Sequence, residues 1–240
     1  MSSPLHNKRA LVTGATSGIG RAVAGMLAQH GANVIATGRN ESALAELDAM
    51  ENISTVAADL RDTNSMDSLF ETAGDLDILV NTAGVAPFAH ITSGKFEDWK
   101  ELLDVNVLAL TYCCQKALAA FPAGGGQIVN LSSLSGHRVP PTGGFYAATK
   151  FAVRAITESL RLELAAQGNQ TRVACVSPGF VDTPLLDVYF KGREDELAKM
   201  RKEMPMLTPR DVAESVLHIL ESPPQVEVND VLLRPKSQAT

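Results

Sequence analysis

The chain has 240 residues, with 27 acidic and 21 basic side chains and a net charge of −6. This balance excludes the broad basic footprint of a nucleic-acid or membrane-surface binder. Hydrophobic residues make up 45% and charged residues 20% of the chain, which excludes a disordered protein. We expect one domain over residues 1–240, large enough to fold without disulfides.

The cysteine and histidine pattern predicts neither a metal site nor disulfides. Cys113 and Cys114 are adjacent, Cys175 is distant, and the five histidines lack ligand spacing. The first ten residues lack the apolar segment of a signal peptide, and no apolar run approaches the ~20 residues of a membrane span. We expect a cytoplasmic protein that binds no metal, membrane or nucleic acid.

Short apolar runs alternate with helical stretches along the whole chain. The predicted strands cover residues 9–13, 33–37, 53–57, 76–80, 127–131, 172–176 and 226–233. The predicted helices cover residues 19–30, 41–50, 63–73 with Thr63 as N-cap, 96–120 and 146–167, and a last one begins at Thr208-Pro209.

This alternation predicts βαβ units. The expected fold is therefore α/β, a single doubly wound (Rossmann) domain with a seven-stranded parallel sheet and helices on both faces. Residues 1–90 would form the dinucleotide-binding half and residues 91–240 the catalytic and substrate half.

A glycine-rich turn joins the first predicted strand to the first predicted helix. Residues 13–20 read Thr-Gly-Ala-Thr-Ser-Gly-Ile-Gly, a GxxxGxG spacing that is neither GxGxxG nor a P-loop. Its glycines let a pyrophosphate approach the backbone, and the following helix N-terminus attracts the anion. The turn favours a dinucleotide site over a purely structural turn.

Arg39 ends the second predicted strand, 21 residues after Gly18. An acidic residue near this position would bind the ribose 2′-OH of NAD, whereas a guanidinium can hold a 2′-phosphate through two hydrogen bonds. We therefore predict NADP(H) as cofactor. Arg39 could instead be a solvated surface residue, and Glu41 is nearby, although it is expected to begin the second helix.

Tyr146 and Lys150 lie four residues apart on a predicted helix and so share one face. A free tyrosine, with a pKa near ~10, is a poor acid–base group at neutral pH. A neighbouring ammonium would favour the phenolate and lower that pKa, which would make Tyr146 a usable general acid or base.

Together these features resemble the classical short-chain dehydrogenase/reductase family over essentially the whole chain. The family's NNAG motif appears as residues 81–84, with Thr82 in place of the second asparagine, which puts a strand-bracing hydrogen bond in doubt. Its PG motif appears as Pro178-Gly179. Residues 207–214 and 231–236 resemble a subgroup that includes NADP-dependent 3-hydroxy acid (serine-type) dehydrogenases and clavulanate-type aldehyde reductases.

The resemblance implies a catalytic set of Asn106, Ser133, Tyr146 and Lys150, with Ser132 as the alternative to Ser133. The serine would stabilise the substrate oxygen, the tyrosine would transfer the proton, and the asparagine would hold a water linking Lys150 to solvent. Many NADP-using members carry a basic residue in the glycine turn, where this chain has Ser17. The implied cofactor-binding residues are Gly14, Thr16, Ser17, Gly18, Ile19, Gly20, Arg39, Asp59, Leu60, Asn81, Ala83, Gly84, Tyr146, Lys150, Pro178, Gly179, Val181 and Thr183.

Three segments that follow strand ends should form the substrate pocket: residues 85–90, 134–145 and 180–207, the last as a lid. The apolar start of the lid favours an apolar or mixed substrate. Several basic and histidine side chains in these segments could contact substrate or lie on a solvated rim: Arg138, Lys191, Arg193, His90 and His137.

The predicted function is NADP-dependent hydride transfer between the nicotinamide and a carbonyl or secondary alcohol of a small molecule. A catalytically silent NADP-binding regulator and a reductase of an imine are the alternatives, and an epimerisation-type reaction would use the same residues. The helices predicted at 96–120 and 146–167 resemble the family's subunit-packing helices, so we expect a homotetramer, with a dimer as the second choice.

Overall fold

Seven parallel strands form one sheet in the order β3-β2-β1-β4-β5-β6-β7. The structure is a computed structural model that describes residues 3–141 and 143–238. The strands are β1 Arg9–Thr13, β2 Asn33–Gly38, β3 Ile53–Ala57, β4 Ile78–Asn81, β5 Gln127–Leu131, β6 Arg172–Pro178 and β7 Asp230–Leu233. The predicted doubly wound α/β fold is confirmed, although β7 is four residues shorter than predicted at its start.

Helices connect these strands and cover both faces of the sheet. They are α1 Gly18–Gln29, α2 Glu41–Asp48, α3 Thr63–Ala73, α4 Phe96–Leu103, α5 Leu110–Ala120, α6 Gly144–Ala166, α7 Pro184–Tyr189, α8 Glu194–Glu203 and α9 Pro209–Leu220. The single helix predicted at 96–120 is interrupted by a π-helical segment, Asp104–Ala109, between α4 and α5.

Polar side chains fix the starts of two of these helices. Thr208 is the N-cap of α9, as the sequence predicts, and it forms a capping box with Asp211. The prediction of Thr63 as a cap is wrong, because the carboxylate of Asp62 accepts the hydrogen bond from the Asn64 N–H and Thr63 is the first helical residue.

The core has two halves, one on each face of the sheet. Val12 packs with α1 and α9 on one face, whereas its neighbour Leu11 packs with α3, α5 and α6 on the other. Cys113 and Cys114 belong to the second half and are buried, as expected for small apolar residues. Alternate residues of a strand therefore serve opposite faces, and the loops beyond the strand ends are left to form a site.

The strand order reverses between β1 and β4, since β2 and β3 extend to one side and β5, β6 and β7 to the other. In an open parallel sheet, such a reversal creates a crevice outside the carboxyl ends of the strands. The segments after β1, β4, β5 and β6 meet at this crevice.

Candidate active site

A cavity of about 1030 Å³ opens at the carboxyl ends of the strands. Its walls come from the glycine-rich turn after β1 and from the segments that follow β4, β5 and β6. Seventeen of the eighteen cofactor-binding residues predicted above line it. The cavity therefore joins the predicted dinucleotide site to Ser133, Tyr146 and Lys150, three of the four predicted catalytic residues.

Asn81 is the exception. Its side chain is buried and does not line the cavity, because its amide nitrogen donates to Asn130 Oδ1 at 2.9 Å between β4 and β5. The adjacent Thr82 hydroxyl donates to the backbone oxygen of Thr13. The sequence left open whether Thr82, which replaces the second asparagine of the NNAG motif, can brace the strands. Its hydroxyl makes such a hydrogen bond, from the end of β4 to the end of β1.

The glycine turn brings the start of α1 against the end of β1. A Cβ on Gly20 would lie 2.3 Å from the Gly14 oxygen, so any side chain there would displace the turn. Gly18 begins α1 with φ +51°, in the left-handed region that glycine adopts freely.

The N-terminus of α1 has the features of an anion site. Its N-cap, Ser17, makes no side-chain capping bond, and the first turn carries no acidic residue. The first backbone N–H groups of this 12-residue helix therefore remain for a ligand that enters the cavity, and its dipole favours a negative one.

Arg39 lies at the cavity rim with its side chain exposed. It makes no hydrogen bond or ion pair with any residue among 3–141 and 143–238. Asp59 is paired with Arg61 instead, at 2.5 Å. This pairing is the main cause that lowers the pKa of Asp59 to about 2, and the field of Arg39 lowers it further.

Ser133 and Tyr146 both line the cavity, and Ser133 is near enough to Tyr146 to lower the pKa of its phenol. Ser133 is the second residue after β5, and Tyr146 lies in the first turn of α6. The Ser133 hydroxyl also accepts a bond from the Ser135 N–H at 3.1 Å, which caps the short turn after β5. Ser132 also lines the cavity, but its hydroxyl donates to the Lys150 backbone oxygen at 2.8 Å.

Lys150 is buried one helical turn after Tyr146. Its ammonium donates to the Leu131 backbone oxygen at 2.9 Å and lies 5.7 Å from the centre of the Tyr146 ring. Burial lowers the pKa of Lys150 to about 8.

The pKa of Tyr146 moves opposite to our expectation. Burial raises it to about 12, and this effect outweighs the hydrogen bond from Ser133, which lowers it. The electrostatic interaction with the Tyr189 phenol raises the pKa of Tyr146 further. In this site the phenol, rather than the phenolate, is the favoured form at neutral pH.

Asn106 lies in the π-helical segment and does not line the cavity. Its Oδ1 accepts from the Val85 N–H at 2.9 Å, and its Nδ2 donates to the Val85 oxygen at 3.0 Å and to Thr149 Oγ1 at 3.2 Å. A Cβ on Gly84 would lie 3.4 Å from Asn106 Oδ1 and 3.8 Å from Lys150 Nζ, so both residues border this glycine. Asn106 holds the loop after β4 against α6.

The family follows from sequence comparison. The sequence model of the family described as short chain dehydrogenase matches residues 8–194. Dehydrogenase/reductase SDR family member 11 of Bos taurus is 37% identical, over 98% of this chain and 98% of its own. An uncharacterized oxidoreductase of Staphylococcus saprophyticus is 38% identical, over 96% and 98%. The chain belongs to the short chain dehydrogenase family. As a member, it has the general role of an oxidoreductase.

Solved structures of this family share the fold over the full length. A serine dehydrogenase in a closed form complexed with NADP+ is 32% identical, with a TM-score of 0.91 over 97% of this chain and 96% of that one. Serine dehydrogenase from Escherichia coli is 30% identical, with a TM-score of 0.82 over 97% and 100%. Both likenesses fit the serine-type subgroup that the sequence resembles.

In this short-chain dehydrogenase, the segment predicted to be a lid, residues 180–207, contains the two helices α7 and α8. Residues of both helices line the cavity, with Tyr189 and Met200 among them. Arg138 also lines it, whereas Lys191, Arg193, His90 and His137 do not. Thr142, in the predicted segment 134–145, lies outside the described residues.

Sequence reasoning did not predict Gln238 as a cavity residue. Gln238 reaches the site from the far end of the chain, where its Oε1 accepts from the Phe180 N–H at 3.0 Å. No motif marks this position. Its contact with the segment after β6 depends on the path of the chain beyond β7.

Proposed function

We propose that this short-chain dehydrogenase uses NADP(H) to transfer a hydride between the nicotinamide and a carbonyl or secondary alcohol of a small molecule. The observation that carries the proposal is that Ser133, Tyr146 and Lys150 line one cavity with the glycine turn and the uncapped N-terminus of α1. The NADP+ complex of the related serine dehydrogenase supports the choice of cofactor.

The residues present fit a dinucleotide. The N-terminus of α1 would hold the pyrophosphate, Asp59 and Leu60 would contact the adenine side, and Arg39 would hold the 2′-phosphate. Lys150 would hold the nicotinamide ribose. When bound, the cofactor supplies or accepts the hydride, and the protein supplies orientation and charge placement.

The chemistry of the chain is a proton transfer coupled to that hydride transfer. In the direction of reduction, Ser133 donates a hydrogen bond to the carbonyl oxygen and stabilises the negative charge that builds there. Tyr146 then gives its phenolic proton to the same oxygen as a general acid. In the direction of oxidation, Tyr146 accepts that proton. Lys150 is a charged neighbour at 5.7 Å from the ring centre, and Asn106 is a positioning residue.

Oxidation of NADPH against a panel of ketones, aldehydes and 3-oxo acids tests the function. We expect turnover of at least one ketone or aldehyde, and the apolar start of the lid favours apolar or mixed members of the panel. Tight NADPH binding without any turnover would contradict the proposal and favour the regulator. Turnover of a cyclic imine alone would favour the imine reductase.

Self-association is the second part of the proposal. The helices α4–α6 and the π-helical segment expose apolar side chains: Leu103, Leu108, Phe151 and Leu162, which are 41%, 60%, 39% and 54% exposed. We propose that these helices pack between subunits of a homotetramer. Light scattering should then give four times the chain mass of 25.5 kDa. Twice that mass would indicate the dimer, and a monomer would refute both.

We propose the cytoplasm as the compartment. Cys113, Cys114 and Cys175 are buried thiols with no disulfide among the described residues, and a reducing compartment keeps thiols in this state. Within residues 3–141 and 143–238, no helix is long and apolar enough to cross a membrane.

A further inference from the structure

The lid, residues 180–207, packs on itself, and its two ends are hydrogen-bonded to each other. Val181 and Leu207 form a parallel bridge, and the Leu207 N–H donates to the Phe180 oxygen at 3.0 Å. Between these ends the lid has its own small apolar cluster, centred on Phe190 and Leu197 and separate from the two halves of the main core. The position of the lid over the cavity therefore depends on the few contacts that it makes with the rest of the protein.

Arg193 provides one such contact. Its guanidinium lies 3.9 Å from the centre of the Phe88 ring, on the loop after β4, and 4.8 Å from that of Phe190. Its Nη2 donates to the Tyr189 backbone oxygen at 2.9 Å, and its Nε is buried without a hydrogen-bond partner among the residues that the structure describes. The side chain of Arg193 is only 18% exposed, so Arg193 is not one of the solvated rim residues that the sequence allowed. It stacks on aromatic faces, a role that suits the planar guanidinium.

Tyr189, at the end of α7, is the lid residue that reaches the catalytic tyrosine. Its ring centre lies 6.2 Å from that of Tyr146 and 6.1 Å from that of Phe88, with interplanar angles of 64° and 89°. Both are edge-to-face contacts within the range of van der Waals packing. Tyr189 also lines the cavity, so its ring occupies the space beside Tyr146 on the side of the lid.

We propose that Tyr189, held in place through Arg193 and Phe88, is a specificity-determining residue that limits the size of the carbonyl substituent facing the lid. The inference rests on the proposed function. A carbonyl oxygen that hydrogen-bonds to Ser133 and Tyr146 must place one of its two substituents towards Tyr189. A methyl group fits against the ring edge, whereas a branched group must displace the ring and its stacked partners.

The substitution Tyr189→Ala tests this proposal. The substrates are the methyl ketone with the highest turnover in the panel and its homologue with isopropyl in place of methyl. We expect Tyr189→Ala to raise the ratio of kcat/KM for the isopropyl ketone to that for the methyl ketone by about tenfold or more, the selectivity that a methylene or two carries in a tight pocket. Tyr189→Phe keeps the ring and should hold the ratio within about twofold of the native protein.

Lys191→Ala is the matched control, since Lys191 is an exposed lid residue outside the cavity, two positions from Tyr189. It should leave the ratio unchanged. NADPH fluorescence and the melting temperature report whether each variant is folded, and Tyr189→Leu replaces Tyr189→Ala if the latter is not. An unchanged ratio in a folded variant overturns the proposal. A native protein that turns over no member of the panel overturns the proposed function instead.

Arg193→Lys separates the positioning role of Arg193 from its charge. The ammonium keeps the charge but lacks the planar face that lies against Phe88. We expect the ratio to rise in the same direction as in Tyr189→Ala, with a larger change in KM than in kcat. If Arg193→Lys keeps the native ratio and the native KM, Arg193 does not hold Tyr189.

Discussion

Replacing Tyr146 with phenylalanine is expected to reduce turnover by about 10²-fold or more while NADPH binding persists. The change removes the only atom that Tyr146 offers for proton transfer and keeps its ring, which packs edge-to-face against Tyr189. Steady-state NADPH oxidation measures the loss, and the fluorescence of bound NADPH checks that the site is intact.

Tyr112→Phe is the matched control. The Tyr112 hydroxyl donates to Asp67 at 2.7 Å, and this residue lies on α5 outside the cavity. The control loses a hydroxyl and one hydrogen bond, as Tyr146→Phe does, but we expect it to keep native turnover. Near-native turnover in Tyr146→Phe would remove Tyr146 from the mechanism.

The pKa values of Tyr146 and Lys150, the two proposed catalytic groups, should set the pH dependence of reduction. Burial raises the pKa of Tyr146 to about 12, so the proton that reduction consumes is present across the neutral range. Burial lowers the pKa of Lys150 to about 8, so its ammonium loses its proton as the pH rises past that value. Initial rates of carbonyl reduction should therefore hold at neutral pH and fall above a pH of about 8. A rate that rises through this range would contradict the assignment.

The sequence predicts the order and bounds of the strands well, because apolar runs and turn residues mark them locally. Strands β1, β3 and β5 match their predicted ranges residue for residue, since each is a short run rich in apolar residues between glycine or turn signals. The π-helical segment has no such signal. Its residues keep the apolar periodicity of a continuous helix. The wider turn around Asn106, which holds an extra residue, is visible only in the folded structure.

The catalytic residues were predictable for a similar reason: i, i+4 spacing and strand-end position bring Tyr146, Lys150 and Ser133 together. Burial was not predictable. Asn81 follows the apolar run of β4 into the core, and Tyr146 acquires its raised pKa from surroundings that no local pattern encodes. The contact of Phe88 with Arg193 joins residues more than 100 positions apart, and neither belongs to a motif.

Substituting Arg39 with glutamine is expected to lower the ratio of kcat/KM with NADPH to that with NADH by about tenfold or more. A guanidinium that holds a 2′-phosphate makes charge-assisted hydrogen bonds worth about 1.5–3 kcal/mol, and NADH lacks the group that receives them. The loss should therefore fall on the NADPH reaction and leave the NADH reaction nearly unchanged. Initial rates with each cofactor, at a saturating concentration of one carbonyl substrate, measure both.

Arg61→Gln is the control that makes this result specific, because Arg61 lies near the same rim but is already paired with Asp59 at 2.5 Å. Arg39 has no carboxylate partner among the residues that the structure describes, so its charge is available to an incoming anion. The glycine turn offers Ser17 rather than a second basic residue, which leaves Arg39 to discriminate between the cofactors without help from that turn. An equal loss of selectivity in both variants would indicate a general effect of positive charge at the rim. If the native protein uses NADH as efficiently as NADPH, Arg39 does not discriminate between the two cofactors.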